Sequence, residues 1–134
     1  MSARDIVQAK IAEISRLLEK REVEGIVRHY ATHDPRFSAF EDSPPYTRMD
    51  GKRFSSFLFE VLSKASDIIN EKYDIDVHVF GETALATGYE RWSMTYDNEP
   101  VRGTARFTML FIRIGDEWKV IHEHFTNVPS STLT

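Results

Sequence analysis

The chain has 134 residues, with 17 Lys plus Arg against 21 Asp plus Glu and a formal charge of −4. That length fits one domain, and the acidic balance leaves no cation excess to displace counterions from phosphates, which argues against nucleic-acid binding. Hydrophobic content of 41% and charged content of 28% exclude a disordered or collagen-like chain, and the absence of cysteine removes disulfides, thiolate catalysis and cysteine-based metal centres.

The first half reads helical. Over residues 3–18 the apolar residues Ile6, Val7, Ile11, Ile14, Leu17 and Leu18 recur at steps of three and four and form one stripe. Ser2 with Asp5 three residues on has the spacing of a capping box. A second helix is expected over 23–31, where Val23, Ile26, Val27 and Tyr30 repeat the spacing, and His33-Asp34-Pro35 stops it. Residues 36–41 suit a short strand, and Asp42-Ser43-Pro44-Pro45-Tyr46 must be loop. A third helix starts near Asp50-Gly51 and runs to the middle or late sixties, its apolar face carrying Phe54, Phe57, Leu58, Val61 and Leu62.

The period then changes to two. Ile75, Val77 and Val79 alternate with polar residues, and Gly81-Glu82-Thr83 reads as a turn. Residues 84–96, 101–114 and 117–128 follow as three strands, joined at Asp97-Asn98-Glu99-Pro100 and at Gly115-Asp116. Gly88 and Gly103 fall inside strands, where glycine marks a bulge or a close approach. Helices first and an antiparallel meander second make an α+β chain, and strands this long must bend. The expectation is a cone-shaped roll, with N-terminal helices packed on a strongly curved, mainly antiparallel sheet. It occupies residues 1–134 as a single domain, with a polar tail over 129–134 that frays. Met1-Ser2-Ala3-Arg4-Asp5 opens a charged amphipathic segment, and no run of 18 apolar residues follows. A cytoplasmic protein without membrane association is expected.

Several strings carry a resemblance. They are Glu24-Gly25-Ile26-Val27 through Tyr30-Ala31, Phe40-Glu41-Asp42 before Pro44-Pro45-Tyr46, Gly51-Lys52-Arg53-Phe54, and Trp118-Lys119-Val120-Ile121-His122-Glu123-His124-Phe125-Thr126. Over about residues 5–127 the chain resembles the nuclear transport factor 2-like superfamily, which includes ketosteroid isomerase and the SnoaL-like polyketide cyclases. The last string looks most like the branch related to the calcium/calmodulin-dependent kinase association domain. The resemblance implies a pocket between the helices and the concave sheet face, and a homodimer through the convex face. Apolar residues on both faces of the long strands agree with cover on both sides: Trp92, Met94 and Tyr96 against Leu85 and Tyr89, and Phe107, Met109 and Phe111 against Leu110, Ile112 and Ile114.

Asp42 falls where the resemblance puts the isomerase's general base. A carboxylate at an apolar mouth is raised by desolvation and can take a proton next to a carbonyl; the plainer reading is that Asp42 caps the turn after it. The isomerase holds its enolate with a tyrosine and a protonated aspartic acid, and those positions fall on Ile14 and on Leu110 or Met109, which donate no hydrogen bond. True steroid isomerisation is therefore not expected.

His122 and His124, two apart on a strand, share a face with Trp118 and Val120, which sets both imidazoles at the edge of the expected cavity. They suit proton transfer beside Asp42, a two-nitrogen metal pair with Asp42 as third ligand, or bonds to a neighbouring strand or subunit. No metal and no cofactor is assigned. Arg91 and Arg106 lie amid apolar strand neighbours, so they face solvent, pair with Glu90 or Glu123, or bind an anionic ligand. Phe40, Tyr46, Phe57, Tyr89 and Phe107 complete the expected ligand-binding set, with Tyr46 as the lid. No glycine-rich phosphate loop, Gly-x-Ser-x-Gly elbow or His-Glu-x-x-His occurs.

Two functions fit. One is a domain binding a small, mostly apolar molecule with a carbonyl or carboxylate, acting as a cofactor-independent isomerase, cyclase or dehydratase. The other is a non-catalytic dimeric assembly or ligand-responsive accessory module.

Overall fold

A computed structural model of the chain describes residues 1–129; the expected frayed tail over 129–134 lies, after Pro129, outside the described residues. Helix α1 (Ala3–Glu19) opens on Ser2, whose hydroxyl accepts from the Asp5 amide at 3.1 Å. Its stripe of Val7, Ile11, Ile14 and Leu17 is buried. Helix α2 (Val23–Val27) is shorter than its periodicity predicts. Beyond it the backbone turns to pair with the last strand, where the Ala31 amide donates to the Val120 carbonyl and the Val120 amide to the His29 carbonyl. Tertiary pairing overrides the helical repeat there, and Tyr30 becomes an inward-facing core residue. Strand β1 (Ser38–Phe40) keeps only the centre of its expected span. Helix α3 (Gly51–Ser63) is capped by the Asp50 carboxylate, which accepts from the Arg53 amide at 2.9 Å.

The largest departure follows α3. The helix ends at Ser63, and strand β2 (Ala65–Phe80) begins two residues later, twice the length its alternation predicts. Two bulges interrupt β2, between Ser66 and Ile69 and between Tyr73 and Asp76. Asp67 and Asp74 sit at them with φ of 51° each, conformations that aspartate tolerates better than most residues. Each bulge shifts the in/out alternation, which hides the strand from a period-two reading.

Strands β3 (Thr83–Tyr96), β4 (Glu99–Ile114) and β5 (Glu117–Asn127) complete an antiparallel meander. Strand β1 adds in parallel to β5, pairing Ser38 with His122 and Phe40 with His124. The order is β1-β5-β4-β3-β2, a curled sheet that does not close. Gly88 and Gly103 are close approaches, not bulges, because β3 and β4 pair without a register shift. At Gly103 an added Cβ would lie 2.9 Å from the Trp92 ring, so the missing side chain is the seat of that indole.

Burial along β3 grades from one end of the roll to the other. Ala84 and Ala86 are fully buried, Glu90 is nearly so, and Trp92, Met94 and Tyr96 are half-exposed. On β4, Phe111 and Met109 are fully buried while Val101 is exposed. The apolar core therefore fills one end between the helices and the concave face. The other end, near the β3–β4 hairpin, stays open.

Candidate functional site

The open end holds a cavity of about 470 Å³. Its walls are mostly apolar: Ile14 and Leu18 from α1, Phe54, Phe57 and Val61 from α3, and Trp92, Met94 and Phe125 from the sheet. Into this hollow the strands send an unusual load of ionisable groups. Glu90 comes from β3 and Glu123 from β5, while Glu41 and Asp42 follow the end of β1. Against these four carboxyl groups the wall offers one cation, Lys72 from β2.

Lys72 is fully committed. Its ammonium lies 3.2 Å from Glu90 Oε1 and donates to Ser15 Oγ at 2.8 Å and to Asn70 Oδ1 at 2.9 Å. Asn70 in turn donates to Glu90 Oε1 at 2.8 Å. Glu90 thus has its countercharge, and the three remaining carboxyls share none beyond it. Burying an unpaired carboxylate is costly enough that the group keeps its proton instead.

Glu123 is 3% exposed and accepts from the Tyr30 hydroxyl at 2.5 Å. Glu41 also hydrogen-bonds to Glu123, and two carboxyls can do so only if one carries a proton. Glu41 Oε2 is buried and meets no donor from the protein. Burial, and after it the Glu123 charge, push the Glu41 carboxyl well above the ordinary carboxylate range. Burial also raises Glu123, while the bonds from Glu41 and Tyr30 and the Lys72 charge pull it back. Both carboxyls of the pair are thus raised, and one proton is shared between them. The Tyr30 phenol is held well above its usual value, first by burial and then by the Glu123 charge.

Asp42 stands beside this triad, half-buried on the cavity wall. Burial, and then the Glu90 charge, push its pKa from 3.8 up to about 6, with its own backbone bond opposing. The Asn127 amide fixes the Asp42 carbonyl at 3.0 Å. A carboxyl poised near neutrality beside a stored proton can exchange protons with a molecule in the hollow.

The family is now decided. A model of the SnoaL-like domain matches residues 7–130. The chain belongs to the SnoaL-like domain family. No curated protein sequence matches it. Among solved structures it is similar to a candidate dehydratase of the NTF2-like family from Streptomyces avermitilis, at 18% identity, TM-score 0.83, with 95% of this chain and 96% of that one covered. An uncharacterised protein with a cystatin-like fold from Caulobacter vibrioides gives 18%, 0.77, 96% and 92%. The CaMKII hub of S. rosetta gives 18%, 0.76, 96% and 98%. Likeness at these identities concerns the fold.

Within this SnoaL-like domain the expected site residues divide between two faces. Asp42 and Phe57 line the cavity. His122 and His124 do not. A bulge leaves Ile121 unpaired between Val120, opposite Phe111, and His122, opposite Leu110. That extra residue reverses the alternation, so Trp118 and Val120 face in before it and Glu123 and Phe125 face in after it. Both imidazoles turn to the convex face, against the expectation that they share the hollow with Asp42. His122 Nδ1 lies 2.8 Å from Ser38 Oγ, and both rings pack near Phe40, over which Arg48 sits. Phe40 belongs to that outer cluster.

Arg91 also faces outward. It pairs with Glu71 at 2.7 Å and stacks on Tyr73, while its expected partners, Glu90 and Glu123, turn inward. Arg106 is exposed opposite Tyr89, itself 40% exposed and stacked on Tyr73. Tyr46 is 66% exposed and Pro44, two residues before it, meets the cavity instead. Phe107 is buried on the inner face, stacked on Phe125 but outside the cavity lining. Ile14, which replaces the isomerase tyrosine, is apolar wall, and the hydroxyl side chains lining this hollow are Tyr30, Ser43 and Tyr96. Among the described residues no three His, Asp or Glu side chains converge as a metal site, and no helix is long and apolar enough to cross a membrane.

Proposed function

We propose that this SnoaL-like domain binds a small, mostly apolar molecule in its hollow and carries out a cofactor-independent proton-transfer step, with Asp42 as the base. The observation that supports this reading is the Asp42 carboxyl, raised to about 6 on the wall of an apolar cavity and next to the proton shared by Glu41 and Glu123. As a carboxylate, Asp42 takes a proton from a carbon beside a carbonyl, and the electron pair moves toward the carbonyl oxygen. In an isomerisation the same proton returns at another carbon. In a dehydration the departing hydroxyl takes the shared proton and leaves as water, and Asp42 passes its proton back to the Glu41–Glu123 pair. The candidate dehydratase among its structural neighbours favours the second course. His122 and His124 have no part in this scheme. Asp42→Asn should lower turnover at least about a hundredfold with the fold retained by circular dichroism; unchanged turnover would discard the base.

We also propose a homodimer in the cytoplasm, formed through the convex face. Exposed Ile69 and Tyr89 on that face, and the likeness to a CaMKII hub, support it. A non-catalytic assembly module is the second reading, favoured by the commitment of Tyr30 and Glu41 to Glu123.

A further inference from the structure

The charge of the hollow does not balance. Among the described residues that line it, Glu41, Asp42, Glu90 and Glu123 are acidic and Lys72 alone is basic. The helices α1 and α3 give it only apolar side chains, such as Ile14, Leu18 and Val61. Lys72 offsets Glu90, and one proton serves Glu41 and Glu123 together. Above pH 6, where Asp42 is ionised, two negative charges therefore stand in the wall with no cation beside them, one on that pair and one on Asp42. Asp42 is half-buried, within reach of a bound molecule. Glu90 and Glu123, 7% and 3% exposed, act on the hollow through their field.

The apolar part of the wall suits a cation as well. Tyr30, Phe54, Phe57, Tyr96 and Phe125 line it, and the face of an aromatic ring attracts a positive charge, most strongly where water is excluded. One ammonium already rests on this surface: Lys72 Nζ lies 5.9 Å from the centre of the Phe125 ring and 3.2 Å from Glu90 Oε1. Its donors are taken by Ser15, Asn70 and Glu90, so an anionic ligand would meet carboxyl groups and no free cation. Resting on the reading of the hollow as a ligand site, we infer that it selects an apolar molecule carrying a positively charged nitrogen, with Asp42 as the counter-ion and the aromatic wall as the seat. This removes the carboxylate from the expected ligands and adds an amine or quaternary ammonium group to them.

The test separates charge from shape with three probes: benzyltrimethylammonium, a permanent cation; neopentylbenzene, its uncharged isostere; and 3-phenylpropanoate, an anion. Calorimetry on the wild-type chain at pH 7.5, by direct or displacement titration, should find the cation bound at least about tenfold more tightly than the isostere, and the anion more weakly than either. The affinity for the cation should fall between pH 7.5 and pH 5, as Asp42 takes up its proton, while that for the isostere holds. By linkage, binding the cation near pH 6 should release protons, read as a dependence of the measured heat on the ionisation enthalpy of the buffer. Asp42→Asn should abolish that release, cut the affinity for the cation about tenfold and leave the isostere unchanged. If the isostere or the anion matches the cation, or Asp42→Asn keeps the full preference for it, the inference fails and the hollow remains a ligand site. If none of the three probes binds, both fail.

Discussion

Glu90 and Arg91 are neighbours on β3 with opposite surroundings. Glu90 points to the concave face, 7% exposed, against Lys72 whose own side chain is 3% exposed. Arg91 points to the convex face and meets Glu71 with both side chains about 60% exposed. The two ion pairs lie on the same pair of strands, since Lys72 is opposite Glu90 and Glu71 opposite Arg91. The difference is solvent. Water screens the outer pair and would solvate either member alone, whereas each inner member needs its partner because nothing else compensates its charge. The concave face is therefore where protonation becomes a property of the fold.

The sharpest way to break this comparison is to remove one member of each pair. Lys72→Met should destabilise the protein by about 3 kcal/mol in urea denaturation, because it strands Glu90 in the wall. Adding Glu90→Gln should recover part of that loss, a coupling that a double-mutant cycle measures. Equal effects on the two faces would refute the distinction.

A second consequence concerns pH. Asp42 holds its proton to about pH 6 when folded, against 3.8 ordinarily. Between those values the folded chain binds more protons than the unfolded chain, so stability falls as pH rises through the window. The fall from Asp42 alone should amount to about 3 kcal/mol, with Glu41 and Glu123 adding in the same direction. Asp42→Asn should flatten the pH 4–7 profile and make the protein more stable at pH 7. A profile that rises over this range in the wild type would contradict the assignment.

The outer face gives smaller effects on folding and a larger one on assembly. Tyr89→Glu should convert the proposed dimer into a monomer by light scattering at micromolar concentration, with little change in monomer stability. Least of all, Glu71→Ala should shift stability by no more than about 0.5 kcal/mol.

The layout of helices before meander was legible because the repeats of α1, α3, β3 and β4 run unbroken, and each reports its buried face directly. The polar floor was not, for reasons that can be located. Glu123 lies between two histidines, and unbroken alternation sends it outward; the bulge at Ile121 turns it in. Lys72 and Asn70 sit between the two bulges of β2, where aspartates at positive φ erase the alternation. Tyr30 has the spacing of a helix stripe, yet pairs across to β5. Asp42 does line the cavity, and the resemblance picks it out from a strand-end acidic pair before a proline turn, which needs no register to be read. A signal for the rest was present in the count of carboxylates on inward-capable strand positions, had each bulge been placed.

The most direct measurement is a side-chain carboxyl ¹³C NMR titration of the protein, assigned through Asp42→Asn and Glu41→Gln. The account predicts an Asp42 midpoint near 6, with Glu41 titrating well above the ordinary carboxylate range. Both carbons titrating fully below pH 5 would contradict it, and with it the claim that this hollow stores a proton for chemistry.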